Sequence, residues 1–433
     1  MSTMEPWQTT GPDAGPPAAS PSAGAPGSGF GRRAFLGRAV LAGASLPVLQ
    51  GLLSACGTSN ASGTSAVRIP APDNPIKWPL STKHPAIKSG LKPKAGSTLR
   101  IYNYADYLSP QVIKSFEKAT GVTVQVSTYN DQDEALTKIA SGDLNFDLYM
   151  PSYDSLGKMV TADLLRPLNH DYITNIKNLW PQFLNPWYDQ GWRYSVPYTV
   201  YTTGIAWRTD MVKEDVGARQ NPYDVFWDPK YAGNLAVIDD WHTCMGMVLL
   251  RNGVDNINTT NASDIAHMRT ELLKLLSVTH PKVTITMYND LPAGQYGLCQ
   301  MWSGDVVNAV YYLPKGTSPD VLRYWFPTDG KGMVDNDLMV VLAQGQNPVA
   351  AHYFINNMLD SKVAGTNFKY IGYQPPQNSI NPEQLVADGF IPKNLKPATV
   401  LSKYFTNGYR LLELPPATDS TYHQIWQEFN AGG

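Results

Sequence analysis

The sequence predicts an α/β protein built on a doubly wound parallel sheet. Three observations predict it. Residues 99–126 read as strand, loop, helix and strand. A second strand–loop–helix unit follows at 146–165. The alternation of β-prone runs and amphipathic stretches then continues to the C-terminus. The 433 residues suffice for two domains, at roughly 100–200 residues each. No repeat of roughly 20–50 residues runs through the chain, which excludes a solenoid.

The opening unit sets the pattern. Residues 99–103 are a short β-prone run. Ser109 and Pro110 start a helix, the serine as N-cap and the proline at the first helical position, where its missing N–H costs nothing. Ile113 and Phe116 follow at helical spacing, and Gly121 ends the helix. Val122, Val124 and Val126 alternate with Thr123 and Gln125, the period-two pattern of a strand. Open α/β sheets bind ligands beyond the carboxyl ends of their strands. The loop after the first strand is therefore the first candidate wall of a binding site, and it carries Tyr104, Asp106 and Tyr107.

The remaining elements follow in order. Residues 131–142 read as a helix with an acidic first turn and a glycine end. Residues 146–150 are a strand ending at Pro151 and Ser152, and 153–165 a helix. Residues 192–207 are a long β-rich run that no helix interrupts, and such a run can cross from one lobe into another. Residues 221–238 give a turn, a short helix, a second turn and a strand, with Asp239 and Asp240 at its carboxyl end. A helix at 241–252 is closed by Gly253. An amphipathic helix at 263–276 gathers Ile265, Met268, Leu272, Leu275 and Leu276 on one side. Residues 297–302 are a strand ending at Ser303, Gly304 and Asp305. Strands at 321–326 and 333–342 come next. Helices then start at Asn347, Ser361 and Asn381, and 421–430 is a last amphipathic helix.

Composition narrows the function. Aromatic residues are 11% of the chain, led by 24 tyrosines and 11 tryptophans. Rigid amphipathic rings suit a wet binding cleft as well as a core. The net charge is −2 with no basic stripe, which excludes a nucleic-acid partner. There is no G-x-S-x-G, H-E-x-x-H or phosphate-binding loop, and the seven histidines are scattered, so the chain is not expected to be an enzyme. Nothing calls for a metal or a cofactor.

Residues 1–56 read as an address. Residues 1–30 are rich in Gly, Pro, Ala and Ser. Arg32 and Arg33, followed by Phe35 and Leu36, resemble a twin-arginine export signal. The apolar run at 39–53 is interrupted by Gly43, Pro47 and Gly51, and is too short for a membrane span of about 20 residues. Leu53, Ser54, Ala55 and Cys56 resemble a bacterial lipobox. Acyl chains on Cys56 would hold the protein on the extracytoplasmic face of the membrane, on the periplasmic or cell-wall side. Residues 57–96 read as a tether with apolar anchors at Ile69, Ile76, Trp78 and Leu80, Trp78 lying against the domain surface. Cys244 and Cys299 remain, either as two separate buried thiols or as the disulfide that export permits.

Six segments, in order, carry a resemblance: IYNYADYLSPQVIKSFEKATGVTVQVSTY, FDLYMPSYDSLGKM, SVPYTVYTTGIAW, FWDPKYAGNLAVIDD, MWSG and YIGYQPPQN. From about Gly96 onward the chain resembles the solute-binding proteins of bacterial ABC importers, and among them the spermidine/putrescine-binding group. The resemblance implies two α/β lobes joined by crossover strands, with ligand between them. Lobe one would be 97–203 plus 335–381, and lobe two 204–334 plus 382–433. It also implies hinge closure on ligand, a monomer, and permease subunits as partners.

A polyamine is a methylene chain carrying ammonium groups, so its site needs carboxylates for the charges and aromatic faces for the stem. The resemblance assigns Tyr104, Asp106 and Tyr107 to the cleft, with tyrosine where the family has tryptophan and aspartate for a longer acid. It adds Ser152, and Asp154 where the family has an aromatic residue. Asp240 matches a carboxylate that holds an ammonium, and Thr243 stands where the family has a second acid. Capping of the helix at 241–252 is the blander role for Asp240. Trp302 matches the platform under the stem, with Asp305 just after it. The family has Trp-x-Asp near residue 336; here the tryptophan is missing and the best register puts Asn336 opposite the acid, flanked by Asp335 and Asp337, with either of these acids as the alternative. Tyr373 matches a cleft tyrosine. The alternative is the same scaffold with another solute: thiamine, ferric iron or another amine or organic solute. Tyr311 and Tyr312 lie too far into a helix for an iron site, and aspartates rather than Arg or Lys in the site loops favour a cation.

Overall fold

A computed structural model describes residues 69–142 and 145–432. The expectations for the signal peptide, for lipidation at Cys56 and for residues 57–68 lie outside the described residues.

The opening unit is β1 (Thr98–Tyr104), α1 (Pro110–Thr120) and β2 (Thr123–Tyr129). Ser109 caps α1 through the Gln111 N–H, and Gly121 closes it at φ +69°, a left-handed conformation that glycine adopts without penalty. Val112 and Phe116, one turn apart, are the buried pair of α1. Val124 is half-buried and Val126 exposed, because β2 is the edge strand; its buried residue is Tyr129, at the carboxyl end.

The next elements are α2 (Gln132–Ser141), capped by Asp131, then β3 (Leu148–Tyr149) and α3 (Leu156–Thr161). The long strand β4 (Ser195–Arg208) is buried at every position. Then come β5 (Leu235–Ile238), α4 (Trp241–Arg251) and α5 (Ala262–Thr279). Two elements absent from the sequence reading follow, β6 (Lys282–Thr284) and α6 (Met287–Ala293). The chain continues through β7 (Leu298–Trp302), α7 (Ser303–Asn308), β8 (Leu322–Trp325) and β9 (Met333–Val341). Helices α8 (Pro348–Met358), α9 (Ser361–Ile371), α10 (Pro382–Ala387), α11 (Tyr404–Asn407) and α12 (Pro416–Ala431) complete it. No described helix is long and apolar enough to cross a membrane.

The strands pair in the order β2-β1-β3-β9-β4-β7-β5-β6, with β8 also on β4. Two parallel blocks, β2-β1-β3 and β7-β5-β6, match the expected doubly wound pattern. The junction departs from it: β9 and β4 run antiparallel to each other and to the blocks they touch. β4 reaches both blocks because its fourteen residues extend roughly 45 Å. Its first part, Ser195 to Thr203, pairs with β9. Its last part pairs with β7 and β8, from Thr203 to Arg208. The architecture is thus two α/β lobes joined by crossover strands.

The segment before β1 is strapped onto the first block. Ile76 and Trp78 are buried, and the Trp78 indole N–H donates to the Tyr188 carbonyl at 2.8 Å. Leu80, expected as an anchor, is exposed. Cys244 and Cys299 are both buried and free, so the disulfide alternative falls away.

Candidate functional site

A cavity of about 140 Å³ opens where the carboxyl ends of both parallel blocks meet. The position follows from topology. Tyr104 ends β1, Ser152 follows β3, and Trp302 ends β7, so the loops beyond these strands converge. The crossover strands supply Tyr201 and Asp337 from the floor, and α6 supplies Tyr288. Among the described residues, no lysine or arginine lines the cavity.

Two buried carboxylates face it. Asp337 is held by hydroxyls: Tyr107 and Ser152 donate to it at 2.7 Å each, Tyr201 at 3.3 Å and Thr199 at 3.5 Å. Burial raises its pKa and these four bonds oppose the rise. Asp305, in the first turn of α7, accepts one bond, from the Tyr373 hydroxyl at 2.7 Å. Its other oxygen, Oδ2, is buried without a hydrogen-bond partner among the described residues. Burial pushes Asp305 up to about 7, and the Tyr373 bond pulls the other way.

Aromatic rings make the walls. The Tyr107 ring stands edge-on to Tyr373 at 4.8 Å, and Tyr373 edge-on to Tyr201 at 5.8 Å. Tyr104 lies 4.3 Å from Tyr129, and Trp302 is half-buried 6.2 Å from Tyr201. At the mouth Asp106 is exposed, takes φ +53°, and accepts from the Tyr288 hydroxyl at 3.4 Å. Aspartate is among the few residues that visit this left-handed region readily. Negative charge and ring faces, with no fixed cation, make a place for a cation with an apolar body.

Seven of the ten residues expected in the site line this cavity: Tyr104, Asp106, Tyr107, Ser152, Trp302, Asp305 and Tyr373. Three do not. Asp240 is the N-cap of α4 and accepts from the Thr243 N–H at 2.7 Å, the blander role; desolvation pushes it up to about 6. Asp154 accepts from the Gln132 side chain at 3.1 Å, outside the lining. Asn336 is fully buried on another face of β9, donating to the Tyr188 hydroxyl at 3.2 Å and accepting from Arg410 at 2.5 Å.

The correction at Asn336 has a simple cause. Side chains alternate along a strand, so a register slip of one residue sends the wrong one to the cleft. Asp337 is the acid that lines the cavity. Asp335 then falls at the tryptophan position of the Trp-x-Asp pattern, where it meets Arg410 at 3.5 Å and the Tyr153 hydroxyl at 3.0 Å. The sequence reading also missed Tyr129, Tyr201 and Tyr288. Tyr129 was open to the rule already applied, since it ends β2. Tyr201 alternates with Thr199 and Thr203 inside the long β run. Tyr288 sits on a helix whose short, proline-bearing sequence carries no clear period.

A family model described as bacterial extracellular solute-binding protein matches residues 111–391. The putrescine-binding periplasmic protein PotF of Escherichia coli is 27% identical over 357 residues, covering 80% of this chain and 95% of the relative. The spermidine/putrescine-binding periplasmic protein 1 of Haemophilus influenzae is 30% identical over 286 residues, covering 64% of this chain and 75% of the relative. Among solved structures, the spermidine/putrescine ABC transporter substrate-binding protein PotD of Streptococcus pneumoniae superposes with a TM-score of 0.63 at 26% identity, covering 78% of this chain and 99% of that one. On this breadth of match, joined to the two-lobe fold and a cavity between its parallel blocks, the chain belongs to the bacterial extracellular solute-binding protein family.

Proposed function

We propose that this chain is the substrate-binding component of an ABC importer, and that it holds a spermidine- or putrescine-like polyamine in the cavity. One observation carries the reading. Asp305 has a buried oxygen with no partner, in a cavity that no lysine or arginine lines, among the described residues. Leaving a charged carboxylate buried and unpaired is costly. An ammonium group supplies both the charge and the missing hydrogen bond. Asp337 takes a second ammonium, and Trp302 and the tyrosines take the methylene stem. The names of the relatives agree with this ligand class.

The cycle is reversible binding, with no bond made or broken. Lobe one is 97–203 plus 335–381 and lobe two 204–334 plus 382–433, a division supported by the switch of β4 pairing at Thr203. Residues 1–56 are the export signal and Cys56 carries the lipid that keeps a monomeric receptor outside the cytoplasm. The loaded protein then delivers the polyamine to the permease subunits. Calorimetry of the full chain with putrescine and spermidine tests the ligand. One-to-one binding, lost in Asp305→Asn, is the expected result; absence of heat with either amine at millimolar concentration overturns the reading.

A further inference from the structure

Gly304 lies in α7 between two lining residues, Trp302 and Asp305, yet does not line the cavity itself. Its backbone does not ask for glycine. Its φ lies outside the left-handed region, and in a helix glycine is a poorer choice than alanine. Gly372 differs: it closes α9 at φ +76°, where glycine is the ordinary residue.

Space accounts for Gly304. A Cβ placed there would overlap the Tyr373 ring at Cγ, Cδ1 and Cδ2. Cγ lies on the axis about which the ring flips, so a flip does not clear it. The ring is also packed edge-on against Tyr107 and Tyr201. A Cβ on Gly372 would meet the Gly304 carbonyl oxygen and lie 2.8 Å from the Asn308 nitrogen. The chain leaving α9 is therefore seated directly on the first turn of α7. From that seat the Tyr373 hydroxyl reaches Asp305 Oδ1 at 2.7 Å. A side chain at position 304 would lift the ring off α7, because a packed interior does not absorb an added methyl group without displacement.

We infer that Gly304 is a positioning residue of the ligand site: by lacking a side chain it seats Tyr373 on α7, and Tyr373 then holds the Asp305 carboxylate with its second oxygen left for the ligand. The ligand half of the inference rests on the polyamine reading above; the seating of Tyr373 does not. Carbon-13 NMR of the full chain follows the Asp305 carboxyl without ligand, its signal identified by its loss in Asp305→Asn. The Tyr373 bond opposes the rise that burial imposes on this carboxyl. Gly304→Ala is therefore expected to move its titration upward, to match Tyr373→Phe. Calorimetry with putrescine is expected to show at least about ten-fold weaker binding in Gly304→Ala. In a Tyr373→Ala background the ring is gone, so adding Gly304→Ala is expected to cost no further affinity and to leave the fold intact by circular dichroism. That double variant also decides the matter if Gly304→Ala alone does not fold. An unmoved titration, or a double variant that unfolds or binds more weakly than Tyr373→Ala, overturns the inference. If the unaltered chain binds no putrescine or spermidine, the polyamine reading falls, while the titration still decides the seating of Tyr373.

Discussion

Tyr373 donates its hydroxyl hydrogen to Asp305 Oδ1 at 2.7 Å, while Oδ2 of the same carboxylate is buried without a partner among the described residues. One oxygen is positioned and the other is left for a ligand. The pair joins α7 to the segment just after α9, elements that follow different strands of the sheet.

Binding is expected to depend on pH through this group. Burial pushes Asp305 up to about 7, so below that it is increasingly a neutral acid without the charge that pairs with an ammonium. Affinity is therefore expected to fall as pH drops from about 8 to about 5.5, approaching ten-fold per unit below the pKa. The amines stay charged throughout. Calorimetry across this range checks it, and the slope is expected to vanish in Asp305→Asn. A flat profile for the unaltered protein assigns the anchoring to another group.

Stability of the free protein should follow the opposite sign. Asp305 and Asp335 are each pushed up to about 7 by burial, as is the half-buried Glu413. A carboxyl raised above its unfolded value adds stability that is full at low pH and is lost as pH rises through the folded pKa. His242 and His352 work the other way, because burial holds them neutral with values of about 3 and about 4. Their effect ends above about pH 6.5, the unfolded histidine value. From pH 6.5 to 8 only the acids contribute, and the melting temperature is expected to decline. Scanning calorimetry without ligand reads it; a rise over that window contradicts the assigned burial.

Asp337 and Asp240 separate the cleft acid from the helix cap. Asp337→Asn removes a charge held by four hydroxyls, and is expected to weaken polyamine binding by about 2–4 kcal/mol. Asp240→Asn replaces one good N-cap by another at α4, so both affinity and stability should move by less than about 0.5 kcal/mol. Titration of the two variants side by side decides it. Equal losses would return Asp240 to the site.

The Arg410–Asp335 pair is expected to be structural. Arg410→Met leaves Asp335 buried without its cation, at a cost of about 3–5 kcal/mol in denaturant unfolding. Adding Asp335→Asn should recover a large part of that loss. No recovery in the double variant would mean that Arg410 acts through its ring packing instead.

Local chemistry was legible wherever it sits in neighbouring residues. Ser109, Asp131 and Asn347 cap the helices they precede, because a short side-chain acceptor reaches its own helix N–H groups without tertiary help. The opening loop was legible because strand polarity alone sends the loop after β1 to the ligand edge. Residues 282–293 escaped because β6 is three residues long and α6 holds Pro292 near its end, so neither builds a period. On β9, by contrast, every position is buried. Three adjacent polar residues in such a strand give no alternation to mark which one faces the cleft.

By itself the sequence determined the element types, the caps, the order of strands and helices, and the family. These rest on contacts between residues a few positions apart. Tertiary structure alone decided that Asp337 rather than Asn336 enters the cavity, that Asp335 belongs to Arg410, and that Asp240 caps a helix outside the lining of that cavity. Each of those outcomes depends on strand register and on partners brought from distant segments: Tyr107 to Asp337, Arg410 to Asp335, Tyr373 to Asp305. The physical reason is that a buried charge is defined by what surrounds it, and its surroundings come from the folded chain.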